Sequence, residues 1–145
     1  MFTRPVFAIL PVFAILLVCG AATGAQAQAM PTKSSTVTAV TPTPDDRARQ
    51  WLVLLDDKNY AQSWSQAGKA FQNREKTDAW AAKAGTERNP LGAVASRDLK
   101  SVDLSRSNMA TVRYDTVFAH KASAVETVTL AYDNGGWSVT DYAVN

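Results

Sequence analysis

Near Pro90 the apolar residues of this chain change their period. Upstream they recur at helical spacing: Ala48, Trp51, Leu52 and Leu55 fall on one face, and Tyr60, Trp64, Ala67 and Phe71 on another. Downstream, "MATVRYDTVFA" alternates, with Val112, Tyr114, Thr116 and Phe118 on one side and Arg113 and Asp115 on the other. One chain with both periods, segregated along its length, predicts an α+β domain with helices packed on one face of an antiparallel sheet.

The signals for individual elements agree with that division. Thr43 is placed to cap a first helix, with Pro44 at its first position and Asp45 and Asp46 in the turn where the dipole favours anions. That helix should stop at Asp56-Asp57. A second helix follows a cap at Asn59, and a third runs from about Arg74 to Ala84, with Trp80, Ala81 and Ala84 inward and Gly85 as its terminator. "LGAVASRDLKSVDL" reads as a turn and an irregular strand, and "SRSN" as a turn. "SAVETVTLAY" is a third strand, "DNGG" a strong hairpin signal, and "WSVTDYAV" the closing strand. The expectation is three helices on about four strands.

Outside this domain the sequence has a different character. Arg4 precedes an apolar run from Val6 to Cys19, and small residues follow, as in a secretory signal peptide. The run is shorter than the ~18–20 residues that span a bilayer, and Pro11 interrupts it. Residues 1–29 are therefore expected to be removed by cleavage after Ala27 or Ala29, which places the protein in the periplasm or outside the cell. The tandem PVFAIL hexamer needs no structural meaning, since this region requires only bulk hydrophobicity. A rival reading makes Cys19 a lipidated N-terminus and ties the protein to the membrane, but Val18 is large for the position before such a cysteine. Cleavage leaves a mature protein without cysteine, hence without disulfides or thiol chemistry. Residues 30–44, rich in Thr, Ser and Pro, read as a flexible linker, and 45–145 as a single domain.

Composition then excludes several chemistries. From Asp45 onward Lys and Arg balance Asp and Glu one for one, and no basic run interleaves with aromatics, so a nucleic-acid footprint is missing. No metal-ligand spacing or other cofactor motif occurs, and the expectation is no metal and no cofactor. The one histidine, His120, belongs to the turn inside "FAHKASAVETVTLAY", beside Lys121, with no nucleophile elbow around Ser123. No catalytic residue is assigned.

Glu126 asks a better question, because it shares strand parity with Val128 and Leu130. If those face the helices, the carboxylate is buried and must be paired, hydrogen-bonded or neutral. Three readings stay open: solvated in the opposite phase, paired to an arginine such as Arg97 or Arg113, or a pocket acid or base. Asp141 carries the same ambiguity beside Trp137 and Val139, and a bulge would reverse it. Tyr60 and Trp64 complete the candidate pocket residues, as aromatics able to line a cavity rather than fill a core.

The pattern Tyr60-x-x-x-Trp64, Phe71, Pro90-Leu91-Gly92, "FAHKASAVETVTL" and "GWSVTDY" resembles a family of small secreted bacterial domains, domain-of-unknown-function family 4019, over Asp45 to Asn145. By element order it is similar to the nuclear transport factor 2-like, or cystatin-like, proteins. That resemblance implies a curved sheet wrapped around a helical layer, able to enclose a pocket. It also implies that carboxylates on the sheet can shuttle protons, as in ketosteroid-isomerase-like relatives. The expected function is a non-enzymatic binding module for a small apolar ligand or an envelope protein. The alternatives are an enzyme of ketosteroid-isomerase-like type using a pocket carboxylate, and an interaction domain using its outer sheet face or edge strand.

Overall fold

The computed structural model describes residues 40–106 and 108–145. The expected signal peptide, Cys19 and most of the linker lie outside the described residues. Helix α1 (Pro44–Asp56) starts where the sequence indicates, through a reciprocal cap. Asp46 N–H donates to the Thr43 hydroxyl at 3.2 Å, and Thr43 N–H donates to the Asp46 carboxylate at 3.0 Å.

The second expected helix is broken in two. α2 (Tyr60–Gln66) and α3 (Lys69–Arg74) are separated at Ala67-Gly68, where Gly68 N–H donates to the Val139 carbonyl at 2.7 Å. The chain leaves its helix there to bond the sheet, and Phe71 still reaches the core one turn later. Asn59 makes no side-chain capping bond. α4 (Thr77–Arg88) runs past Gly85, which is no terminator: it sits inside the helix against Tyr60, where an added Cβ would lie 3.6 Å from the ring. The apolar stripe Trp80-Ala84 therefore continues to Arg88, which is buried. A short 3-10 turn, Asn89–Leu91, ends at Gly92, whose φ of +78° takes the chain into the sheet.

The sheet is an antiparallel meander in the order β1 (Val94–Arg106), β2 (Met109–Phe118), β3 (Lys121–Asp133), β4 (Gly136–Val144). It curves without closing, and the four helices pack on one face. Ala110, Val112, Tyr114, Thr116 and Phe118 of β2, with Ala124, Glu126, Val128 and Leu130 of β3, form the buried face. In β4 the register skips Thr140, pairing Leu130 with Val139 but Thr129 with Asp141. This bulge turns both Val139 and Tyr142 inward and sends Asp141 out.

Between helices and sheet the interior is filled by aromatic rings. Trp51 lies 5.9 Å from Trp80 and 5.6 Å from Tyr142, and Phe71 meets Trp80 edge-on at 4.8 Å. Both buried indole N–H groups are satisfied by Ser63: Trp51 donates to its carbonyl at 2.8 Å and Trp80 to its hydroxyl at 2.9 Å.

Candidate functional site

Beyond the aromatic cluster, toward the His120 end of the sheet, four charged side chains close into a ring. Glu126, on β3, is 0% exposed. Its Oε1 accepts from Arg88 Nη1 and, at 2.8 Å, from the Tyr142 hydroxyl, while its Oε2 accepts from Arg97 Nε and the Thr116 hydroxyl, both at 2.7 Å. Asp56, the last residue of α1, completes the ring. Arg88 Nη2 donates to its Oδ1, and Arg97 donates to Oδ2 at 2.7 Å and to Oδ1 at 2.9 Å. The two arginines thus alternate with the two carboxylates, and the formal charge of the quartet is zero.

Burial alone would disfavour these charges. For Arg97 burial is outweighed by the hydrogen bonds it donates to Asp56 and Glu126, and for Arg88 by the Tyr142 oxygen, Glu126 and Asp56; both guanidinium pKa values end above their ordinary value. The Arg88 guanidinium also lies over the Phe118 ring, 4.8 Å from its centroid. Burial, and then the negative charge of Glu126, push the Tyr142 phenol up against a smaller opposing effect of Arg88.

The quartet reaches the surface on one side. Asp56 side-chain exposure is 24%, against 4% for Arg88. There a notch of about 180 Å3 opens, lined by Leu55, Asp56, Lys58, Tyr60, Arg88, Asn89 and the Gly92-Ala93-Val94 backbone turn. Two residues of this lining have left-handed backbone, Lys58 at φ +59° and Gly92 at φ +78°. Tyr60, half-buried, donates to the Asn89 side-chain carbonyl at 3.2 Å. A second, shallower groove of about 600 Å3 is lined by Trp64, Lys69, Gln72, Asn73, Lys76, Thr77 and Asp78. Trp64 is anchored in it by a 2.7 Å bond from its indole N–H to the Glu75 carbonyl.

The candidate residues separate accordingly. Tyr60 lines the notch and Trp64 the groove. Glu126 lies behind the notch, paired to Arg97, and also to Arg88. Arg113, the other arginine considered for it, pairs instead with Asp103 on the outer face. Asp141 is removed from any pocket by the Thr140 bulge: its side chain is 58% exposed and paired with Arg74 at 2.9 Å. His120 is an exposed turn residue whose Nδ1 lies 3.3 Å from the Pro90 carbonyl. Among the described residues, no three His, Cys, Asp or Glu side chains gather as a metal-ligand set.

Sequence reasoning missed Arg88 and Asp56. Arg88 stands four residues beyond Ala84 and eight beyond Trp80, so the stripe itself pointed to it once the helix was allowed past Gly85. Asp56 follows Leu52 by four residues on the buried face of α1.

These features define an α+β roll, four helices on one face of a curved antiparallel sheet, with a packed interior and a polar notch at one end. The chain belongs to the family described as protein of unknown function (DUF4019), whose profile matches residues 47–142. Two solved structures share the fold. One is a SEC-C motif-containing protein from Rhodopseudomonas palustris, 12% identical over 70% of this chain and 77% of that one, with a TM-score of 0.52. The other is a candidate calcium/calmodulin-dependent protein kinase type II association domain from Thiobacillus denitrificans, 11% identical over 72% and 95%, with a TM-score of 0.53. A candidate NTF2-like transpeptidase from Campylobacter jejuni is similar at 19% identity over 68% and 97%, with a TM-score of 0.48. No curated protein sequence matches the chain.

Proposed function

We propose that this protein is an exported, periplasmic binding module rather than an enzyme. The observation that carries this reading is the state of Glu126. A sheet carboxylate acting as a base needs a free lone pair facing substrate. Glu126 instead accepts from four donors, is fully buried, and stands behind Arg88 and Asp56 rather than on the notch wall. The other sheet candidate, Asp141, is in water. The aromatic cluster occupies the interior in which an apolar ligand would be enclosed, which favours recognition at the surface, by the notch or by a protein partner in the envelope.

Two measurements test this. Cell fractionation with intact-mass analysis should find the protein in the periplasm, beginning at Gln28 or Met30; full-length protein in the cytoplasm would sink the export reading. Proton exchange from the carbon next to the carbonyl of a 3-ketosteroid should stay at the uncatalysed rate. Exchange that is accelerated by the parent protein and abolished by Glu126→Gln would establish the enzyme instead.

A further inference from the structure

We propose that the notch beside Asp56 binds a short-chain monocarboxylate, with Lys58 as the charged group that selects it. This rests on the binding-module reading and names the ligand class. Asp56 and Arg88 both contribute to the lining, but each is already neutralised within the quartet. Lys58, by contrast, makes no ion pair among the described residues, although it lines the same notch. The lining therefore carries one uncompensated positive charge. A singly charged anion matches it; a phosphate, at −1.5 to −2 near neutral pH, does not, and an amine would meet repulsion.

Shape and polarity narrow the class further. Asn89 presents a side-chain amide whose carbonyl is taken by Tyr60, leaving its NH2 as a second donor. Leu55, Ala93 and Val94 give the remaining wall an apolar character, suited to a hydrocarbon tail. The notch is small, about 180 Å3, and suits a tail of a few carbons. Lys58 is held at the rim by its left-handed backbone, fixed by its N–H bond to the Leu55 carbonyl at 3.0 Å.

The test is an NMR titration of the 15N-labelled protein with butyrate, butylamine and inorganic phosphate. Butyrate should give saturable shifts at Lys58, Asn89, Gly92 and Val94. Six heavy atoms cap the affinity at about the sub-micromolar range, and a dissociation constant in the millimolar range is expected. Lys58→Asn removes the charge with a residue that tolerates left-handed backbone, and should weaken butyrate about tenfold or more, the worth of a charge-assisted bond. Lys58→Gly, which accepts the same backbone with no side chain, should give the same loss and guards against a misfolded single variant. The proposal is overturned if butyrate gives no saturable shift, if both variants bind it as the parent does, or if butylamine or phosphate binds these residues more tightly. Failure here with no turnover leaves the binding-module reading standing, whereas turnover dependent on Glu126 overturns that reading itself.

Discussion

Glu126→Gln removes one charge from a ring in which each charge offsets two neighbours. The variant leaves Arg88 and Arg97 to share Asp56, a buried imbalance of the kind that costs about 3–5 kcal/mol. Urea unfolding should show a lower midpoint at an unchanged slope. Removing an arginine together with the glutamate separates imbalance from simple loss of contacts. Adding Arg88→Met to Glu126→Gln restores one carboxylate to one arginine, so the double variant should lose much less than the sum of the two single losses. Strict additivity would show that the four groups do not act as a unit. Thr116→Val should cost about 1.5–3 kcal/mol on the same measurement, because the lost hydroxyl donates to a buried carboxylate. At this scale the sequence was half legible. Alternation with Val128 and Leu130 made an inward Glu126 one of three open readings, with Arg97 or Arg113 as its partner in one of them, but Arg88 was hidden behind a glycine that reads as a helix end.

The helical layer depends on one small residue at the α2–α3 break. A Cβ on Gly68 would stand 2.8 Å from the Ser138 hydroxyl and 3.2 Å from both the Ser138 Cβ and the Val139 carbonyl oxygen. The serine hydroxyl can rotate away; the β4 backbone cannot do so without moving the sheet. Gly68→Ala should therefore destabilise by about 1–3 kcal/mol, seen as a lower Tm, and Ser138→Gly in the same chain should recover part of it. A Tm unchanged by Gly68→Ala would mean that the helices are not held this closely to β4. The break also explains what periodicity missed. Tyr60, Trp64, Ala67 and Phe71 keep helical spacing across it, so nothing local announces a strand contact from distant Val139. The β4 bulge is similar: WSVTDY alternates, and only pairing with β3 shows that Thr140 is the extra residue. The Thr43 cap and the hairpin glycines act on their neighbours and could be read; contacts between separate elements could not.

For the molecule as a whole, helices and sheet are also joined by buried phenols, and these make stability depend on alkaline pH. Tyr114 on β2 donates to the Asp45 carboxylate of α1 at 2.6 Å, and Tyr142 on β4 accepts from Arg88 of α4 at 3.1 Å while donating to Glu126 on β3. Burial is the first cause that raises the Tyr114 phenol, and its bond to Asp45 adds to it; burial and the Glu126 charge raise Tyr142. Tyr60 is raised by burial, with Arg88 opposing. The sign follows from proton counting. Above the ordinary tyrosine value of ~10 the unfolded chain has released these protons while the folded protein still holds them. The folded state then binds more protons, so stability falls as pH rises. The contribution is fully present below about pH 10 and is lost as pH climbs toward the raised folded values. Each phenol steepens the fall by up to ~1.4 kcal/mol per pH unit. In a pH titration, phenolate absorbance from Tyr114 and Tyr142 should appear together with the loss of far-ultraviolet circular dichroism, as one cooperative step. Tyr114→Phe should flatten the decline of urea stability above pH 10 by one proton's worth. Ionisation of Tyr114 and Tyr142 near pH 10 with the dichroism intact would mean that these phenols are open to water, and that helices and sheet are not joined through them.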